Sequence, residues 1–395
     1  MNNHGHLQAS TYIIGIMSGT SCDGIDVAVM DAGSHKLIYF SEYPMATELR
    51  ESCLRIAEPG VNEVDRLGDL DRALGMAFAQ AVLATLEAKN ISTRQVLAIG
   101  NHGQTIRHRP KGVSGGYPFT LQIGCAATLA EQTCITVVSD FRSRDIAADG
   151  EGAPLVPFAH QALFANLDGT TAILNIGGIA NVTILNADGS IQGFDTGVGN
   201  MLMDALMLEL SDGRHAYDKD GGLAGTGKVC QALLDTLLQH PFIQQEPPKS
   251  TGRETFGKDM LHRLLAWPDL SDADRMATAC AFTVQSILKQ MAFFKESPKR
   301  WLICGGGACN THLMQALNGA LTPAEVCSTA QYGIAPEAVE AVSFALLTEQ
   351  TLLGKNNTLA EVTGARHPVC GGQITPGNNW QQVSQWIYAQ NNHCD

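Results

Sequence analysis

Two stretches of this chain follow the same pattern, and that repetition limits the folds open to it. Tyr12–Asp31, YIIGIMSGTSCDGIDVAVMD, reads as two β-rich segments, Tyr12–Met17 and Ile25–Met30, around a polar turn. Thr171–Leu185, TAILNIGGIANVTIL, repeats the plan around Asn175-Ile176-Gly177-Gly178. The copies begin about 160 residues apart in a chain of 395, a domain-scale duplication and not a solenoid period. Elsewhere strands alternate with helices. Leu37–Tyr43, Val96–Gly100, Ile135–Ser139 and Arg300–Cys304 are expected strands. Val64–Ala88, Cys125–Gln132, Met201–Leu210, Asp272–Lys295, Asn310–Leu317, Pro336–Leu347 and Trp380–Tyr388 are expected helices. Such alternation implies mostly parallel α/β sheets, in which ligands gather beyond the carboxyl ends of the strands.

The first turn, Ser18-Gly19-Thr20-Ser21-Cys22-Asp23-Gly24, consists of small residues. Small residues let a backbone approach a ligand, and successive N–H groups in such a turn form an anion-binding concavity. Asp23 and Asp26 can hold a cation that accompanies the anion. The same Asp-Gly is also an ordinary hairpin signal. Two polar clusters follow expected strands: Asn101-His102-Gly103-Gln104-Thr105, and Asp140-Phe141-Arg142-Ser143-Arg144-Asp145. Gly193-Phe194-Asp195-Thr196-Gly197 precedes an apolar helix, which predicts a carboxylate near the positive end of the helix dipole. Gly305-Gly306-Gly307, between a strand and a helix, is a third place where backbone can press against a ligand. Glu337 and Glu340 share one face if Pro336–Leu347 is a single helix. Gly222–Lys228 has P-loop spacing, but Val229 stands where Ser or Thr is needed and no strand precedes it. Pro247–Glu254 is a turn-rich loop with positive charge in an acidic chain.

Composition narrows the function classes. A net charge of −13 gives no general attraction for nucleic acid or an anionic membrane, so an anionic ligand needs a local site. The 11 cysteines are scattered without a C-x-x-C pair, the pattern of reduced thiols in a cytoplasmic protein without a zinc site. Neither a signal peptide nor a membrane span is expected.

Three glycine turns in this order on two duplicated lobes resemble the actin/hexokinase/sugar-kinase superfamily. More closely, nine blocks resemble anhydro-N-acetylmuramic acid kinases: GIMSGTSCDGID (15–26), NHGQT (101–105), SDFRSRDIA (139–147), EGAPLVP (151–157), LNIGGIANVT (174–183), GFDTGVGN (193–200), PKSTGRE (248–254), CGGGACN (304–310) and EAVSFALL (340–347). The resemblance implies two actin/hexokinase-like lobes with a central cleft. The first would span 11–140, completed by 348–395, and the second 141–347, with 1–10 a disordered extension.

It further implies a cytoplasmic, homodimeric enzyme using ATP and Mg²⁺ on 1,6-anhydro-N-acetylmuramic acid. Such an enzyme opens the anhydro bridge with water and phosphorylates O6 during peptidoglycan recycling. Asp195 matches the family's catalytic Asp in GFDTG. Gly19, Thr20, Ser21, Cys22, Asp23, Gly24, Ile25 and Asp26 match the ATP segment, with Asp26 toward the metal. Gly177 and Gly178 would face phosphates, and Gly305, Gly306 and Gly307 the adenosine. His102, Gln104, Asp140, Arg142 and Glu340 are the candidates for the sugar side, with Arg142 for the lactyl carboxylate. Many superfamily members carry an Asp where Met17 and Ser18 stand, so metal placement does not transfer from them. An ordinary amino-sugar kinase acting on a free hydroxyl, or a non-enzymatic ATP or sugar sensor, would use the same lobes.

Overall fold

The computed structural model describes residues 11–19 and 22–392, the side chains of Arg253 and Glu254 excepted. The expectations for residues 1–10, Thr20 and Ser21 lie outside the described residues. The chain forms two compact units. One runs to Ala159 and resumes at Glu340; the other is His160–Val339. These boundaries fall later than 140 and earlier than 347. The segment after Asp140 is tied to the first unit by a hydrogen bond from Thr363 Oγ1 to Asp145 Oδ1 (2.8 Å) and by Glu151 N to Thr363 O (2.8 Å).

In the first unit, β1 (Tyr12–Met17), β2 (Gly24–Asp31) and β3 (Leu37–Pro44) form an antiparallel meander. β4 (Val96–Asn101) joins parallel to β1. β5 (Gln104–Arg109) and β6 (Phe119–Ile123) pair as a separate hairpin, and β7 (Thr136–Ser139) runs parallel to β4. The short strand Gln373–Thr375 closes that edge of the sheet. In the second unit, β8 (Thr171–Ile176), β9 (Ile179–Leu185) and β10 (Ile191–Val198) form the same meander. β11 (Arg300–Cys304) lies parallel to β8, and β12 (Glu325–Ser328) parallel to β11. Both sheets therefore run third, second, first, fourth, fifth in chain order. The duplication implied by the hairpins extends to the whole sheet, giving the doubled actin/hexokinase-like plan of mixed sheets flanked by helices.

Both faces of the first sheet are covered at its centre, and so β1, β4 and β7 are apolar on both faces. Ile14 and Ile16 face the helix Glu63–Ala88, whose Leu70, Leu74, Phe78 and Val82 recur at helical spacing. The other face, with Ala98 and Val138, packs on Phe344 and Leu347 of the helix Val339–Leu352. Gly15 and Gly100 allow that helix to sit on the strands. A Cβ on Gly15 would lie 1.8 Å from Ala341 O, and one on Gly100 would lie 2.4 Å from Phe344 O. Backbone oxygens cannot swing aside. Gly15→Ala is expected to cost about 1–3 kcal/mol of stability through overpacking, read as a lower urea midpoint; an unchanged midpoint would show that the helix can lift off the strand.

In the second unit, Phe194, Phe282 and Trp301 belong to one large core cluster. The helix starting at Asp272 ends at Gln290, short of the expected Lys295, and a single 3₁₀ turn, Met291–Phe293, follows. The Lys295 amide donates to Gln192 Oε1 (2.9 Å), a partner outside any helical ladder.

Candidate active site

The β1–β2 turn of the first unit is braced from below. Ser18 Oγ donates to Gly24 O (3.1 Å) and also bonds Gln104 Oε1 (2.8 Å). Gln104 Nε2 donates to Gly19 O (3.1 Å), so both ends of its amide are engaged by the hairpin. His102 N donates to Ile16 O (3.1 Å), which fixes the neighbouring strand end. Cys22 is 4% exposed at φ +53°, and its amide closes the turn on Gly19 O (3.1 Å). Ile25 points into the core. Asp23 is exposed, while Asp26 is half-buried on β2 across from Glu42.

A second cluster joins these residues to the Asp140 segment. Arg142 Nη2 and Nε reach His102 Nε2 (2.9 and 3.3 Å), and Nη1 donates to Gly152 O (2.8 Å). With Nε2 accepting, His102 Nδ1 is assigned the proton and donates to Gly103 O (2.7 Å). Burial first, and then the Arg142 charge, hold the His102 pKa well below the usual histidine range. Burial lowers Arg142 to about 10, against the opposing pull of Glu340 and Asp145. Glu340, in the first turn of the helix Val339–Leu352, therefore acts on the same guanidinium. Asp140, at φ +53°, accepts from Ser143 Oγ (2.6 Å) and from Gln373 Nε2 (2.7 Å). Asp145, which closes the polar cluster in the sequence but is not among the sugar-side candidates, is fully buried beneath these residues and accepts from Gly152 N (2.8 Å).

In the second unit, Asp195 does not precede a helix. It lies within β10, at a register shift against β9, and the helix begins only at Met201. The glycines of GFDTG are strand and bulge residues: the extra residue bends the strand beside the carboxylate. The helix dipole thus gives way to a different clamp. Thr251 N donates to Asp195 Oδ2 (2.8 Å), and Asp195 N donates to Lys249 O (3.2 Å). Sequence reading noted the positive loop containing Lys249 and Thr251 without linking it to Asp195. Only the fold brings residues that far apart in sequence together.

The β8–β9 turn rests on the start of the following helix. Asn200 N donates to Gly177 O (2.8 Å) and Gly199 N to Gly178 O (2.9 Å). A Cβ on Gly178 would find its nearest contact at 3.7 Å, on Met201 Cβ, so that turn is open on its outer side. The triple glycine behaves differently. A Cβ on Gly305, at φ +76°, would lie 2.3 Å from Asn175 Oδ1, and one on Gly307 2.4 Å from Ile176 Cγ2. These two glycines are required by the chain's own packing, which leaves Gly306 as the open position. Glu337 and Glu340 do not share a helix face: Glu337 sits in a 3₁₀ turn, Pro336–Ala338, and accepts from Cys309 Sγ (2.8 Å).

The second unit thus carries a turn with open backbone at Gly178 and a carboxylate, Asp195, that accepts from the Thr251 amide. An open turn can admit an anion, and an oriented carboxylate can accept a proton. Among the described residues, no cluster of three or more His, Cys, Asp or Glu is arranged as a metal site, the cysteines are free thiols, and no helix is long and apolar enough to cross a membrane.

A family model described as "Anhydro-N-acetylmuramic acid kinase" matches residues 11–377. An anhydro-N-acetylmuramic acid kinase of Vibrio vulnificus (strain CMCP6) is 43% identical over 355 residues, covering 89% of this chain and 95% of that protein. One from Shewanella loihica is 41% identical over 371 residues, covering 93% and 99%. Among solved structures, an activator of 2-hydroxyisocaproyl-CoA dehydratase from Clostridium difficile with bound ADPNP is similar at a TM-score of 0.44 and 10% identity, covering 86% of this chain and 95% of that one.

Proposed function

Since the chain belongs to the anhydro-N-acetylmuramic acid kinase family, we propose that it phosphorylates O6 of 1,6-anhydro-N-acetylmuramic acid with ATP while water opens the anhydro bridge. The products are N-acetylmuramic acid 6-phosphate and ADP, as peptidoglycan recycling requires. The observation that carries this reading is Asp195, held at a strand bulge by the Thr251 amide (2.8 Å). In the bridged sugar O6 bears no proton, so an ordinary kinase base has nothing to remove there. The proton to be moved is on the water that attacks the anomeric carbon. One ionised, oriented carboxylate suffices for that, and Asp195 takes the proton as the C1–O6 bond breaks. O6 leaves toward the γ-phosphorus, and the remaining acceleration comes from alignment.

Gly19–Asp26 and the Gly177–Gly178 turn are assigned to the phosphates, with Gly305–Gly307 at the adenosine. Asp26 offers a hard oxygen donor opposite Glu42. That donor set fits Mg²⁺, which binds through one or two carboxylates plus phosphates and waters. When bound, the ion offsets charge on the phosphates. On the sugar side, Gln104, Asp140 and Arg142 spend hydrogen bonds on bracing the chain, and so His102, Arg142 and Glu340 form a fixed polar wall and not loose ligands. We also assign the enzyme to the cytoplasm as a homodimer, readable by fractionation and by sedimentation.

A coupled ADP-release assay tests the reading. The expected result is faster turnover with the anhydro sugar than with N-acetylmuramic acid or N-acetylglucosamine. The reverse preference would make it an ordinary amino-sugar kinase, and ATP binding without ADP formation on any sugar would make it a sensor. Gly178→Ala separates ligand approach from folding: the methyl meets only an ordinary contact, so the unfolding midpoint should hold. KM for ATP should rise about tenfold, the equivalent of one hydrogen bond. An unchanged KM would remove Gly178 from the nucleotide site.

A further inference from the structure

The loop that clamps Asp195 also buries a cation. Lys249 is 4% exposed, and its Nζ donates to Phe242 O (3.0 Å). The ammonium lies 4.7 Å from the centre of the Phe242 ring and 5.5 Å from that of Phe293. One carbonyl and two ring faces compensate only part of an ammonium's lost hydration. If packing were all that mattered, an apolar side chain would fill this space at less cost. Among the described side chains, the charge acting on Lys249 is that of Asp195, from β10. The helix Pro241–Gln244 and the turn Met291–Phe293 present rings and carbonyls to it. Gln290, at the end of the long helix, gives its amide to Ile243 O (3.3 Å).

We infer that Lys249 is a positioning residue for the reaction: its buried ammonium keeps Asp195 ionised and its backbone holds that carboxylate's strand in place. Asp195 is half-buried and must stay charged in a site that also receives anionic phosphates. A neighbouring cation that is charged at neutral pH meets that need without touching the substrate. Burial draws the Lys249 pKa down to about 8, while Asp195 pulls it up, so the ammonium is charged at neutral pH.

The inference rests on Asp195 being the base, and its test is the acid limb of the kcat/KM profile, which reports that base in the free enzyme. The full-length enzyme is assayed with the anhydro sugar from pH 5.5 to 8.5, with folding checked by circular dichroism at each pH. Lys249→Met and Lys249→Gln, the latter keeping a donor for Phe242 O, should move the acid limb up by about one pH unit or more. That appears as a loss that is largest at the acid end of the range and recovers by pH 8. Lys249→Arg should keep the wild-type limb. A uniform loss at every pH with the limb unmoved would overturn the proposal, as would failure of both neutral variants to fold. Asp195→Asn separates the two readings. If that variant still turns over, the base assignment fails; if it is dead and the Lys249 limb has not moved, only the role of Lys249 fails.

Discussion

Asp195→Asn should fold like the parent and lose about 10²–10⁴-fold in turnover, with KM for both substrates nearly unchanged. Asn is the same size and keeps a carbonyl oxygen for the Thr251 amide, now 2.8 Å from Asp195 Oδ2. The β10 register is set by backbone pairing with β9, which the substitution does not touch. What disappears is the capacity to accept a proton from water. Ring opening of the bridged sugar supplies no alternative base, because O6 departs as an acceptor of the phosphoryl group and carries no proton itself. The loss should therefore fall on kcat, the pattern of an interaction made only in the transition state. Steady-state ADP release with the anhydro sugar measures it. Turnover within a few-fold of the parent would remove Asp195 from the chemistry and return the choice to an ordinary kinase or a sensor.

The hairpins were legible because Ile13, Ile14 and Ile16 around Gly15, and their counterparts around Gly177, leave little choice besides a covered strand ending in a turn. β10 was not legible as a strand. Gly193, Gly197 and Gly199 read as loop residues, yet Gly197 serves the bulge and Gly199 the approach of Gly177 O, 2.3 Å from where its Cβ would be. The triple glycine drew attention as ligand-facing backbone, while two of its members answer to Asn175 and Ile176. Polar residues were found by type and then differed in use. Gln104 and Asp140 are engaged within the first unit, whereas Lys249 carries an inward charge that only the tertiary contact with Asp195 makes visible. Local pattern encodes pairing and turns. It does not encode which distant loop closes over a carboxylate.

The second large effect is acid lability, and it follows from histidines that have no room for a proton. His160 is fully buried; its Nδ1 bonds Thr183 Oγ1 (2.8 Å), and among the described residues its Nε2 has no hydrogen-bond partner. A proton on Nε2 would be a buried charge with an unmet donor, and burial accordingly pulls the His160 pKa down to about 3. His102, with Nε2 facing the Arg142 guanidinium, is lowered for the same first reason and then by that charge. One lies in each unit. In the unfolded chain both titrate near 6.5. The folded state refuses protons that the unfolded state accepts. Their contribution is thus complete above about pH 6.5 and shrinks as pH falls toward the depressed values. For His160 the slope is about 1.4 kcal/mol per pH unit, or about 2 kcal/mol by pH 5, and His102 adds in the same direction. His35 works the other way, since Glu349 raises its pKa, but its side chain is 44% exposed and its share is small. Urea unfolding at pH 7.5 and pH 5 should show midpoints falling steeply on the acid side. His160→Gln should cost stability at pH 7.5 yet converge on the parent at pH 5, because glutamine has no proton to refuse. Parallel pH curves for the two proteins would show that His160 is not the source of the slope.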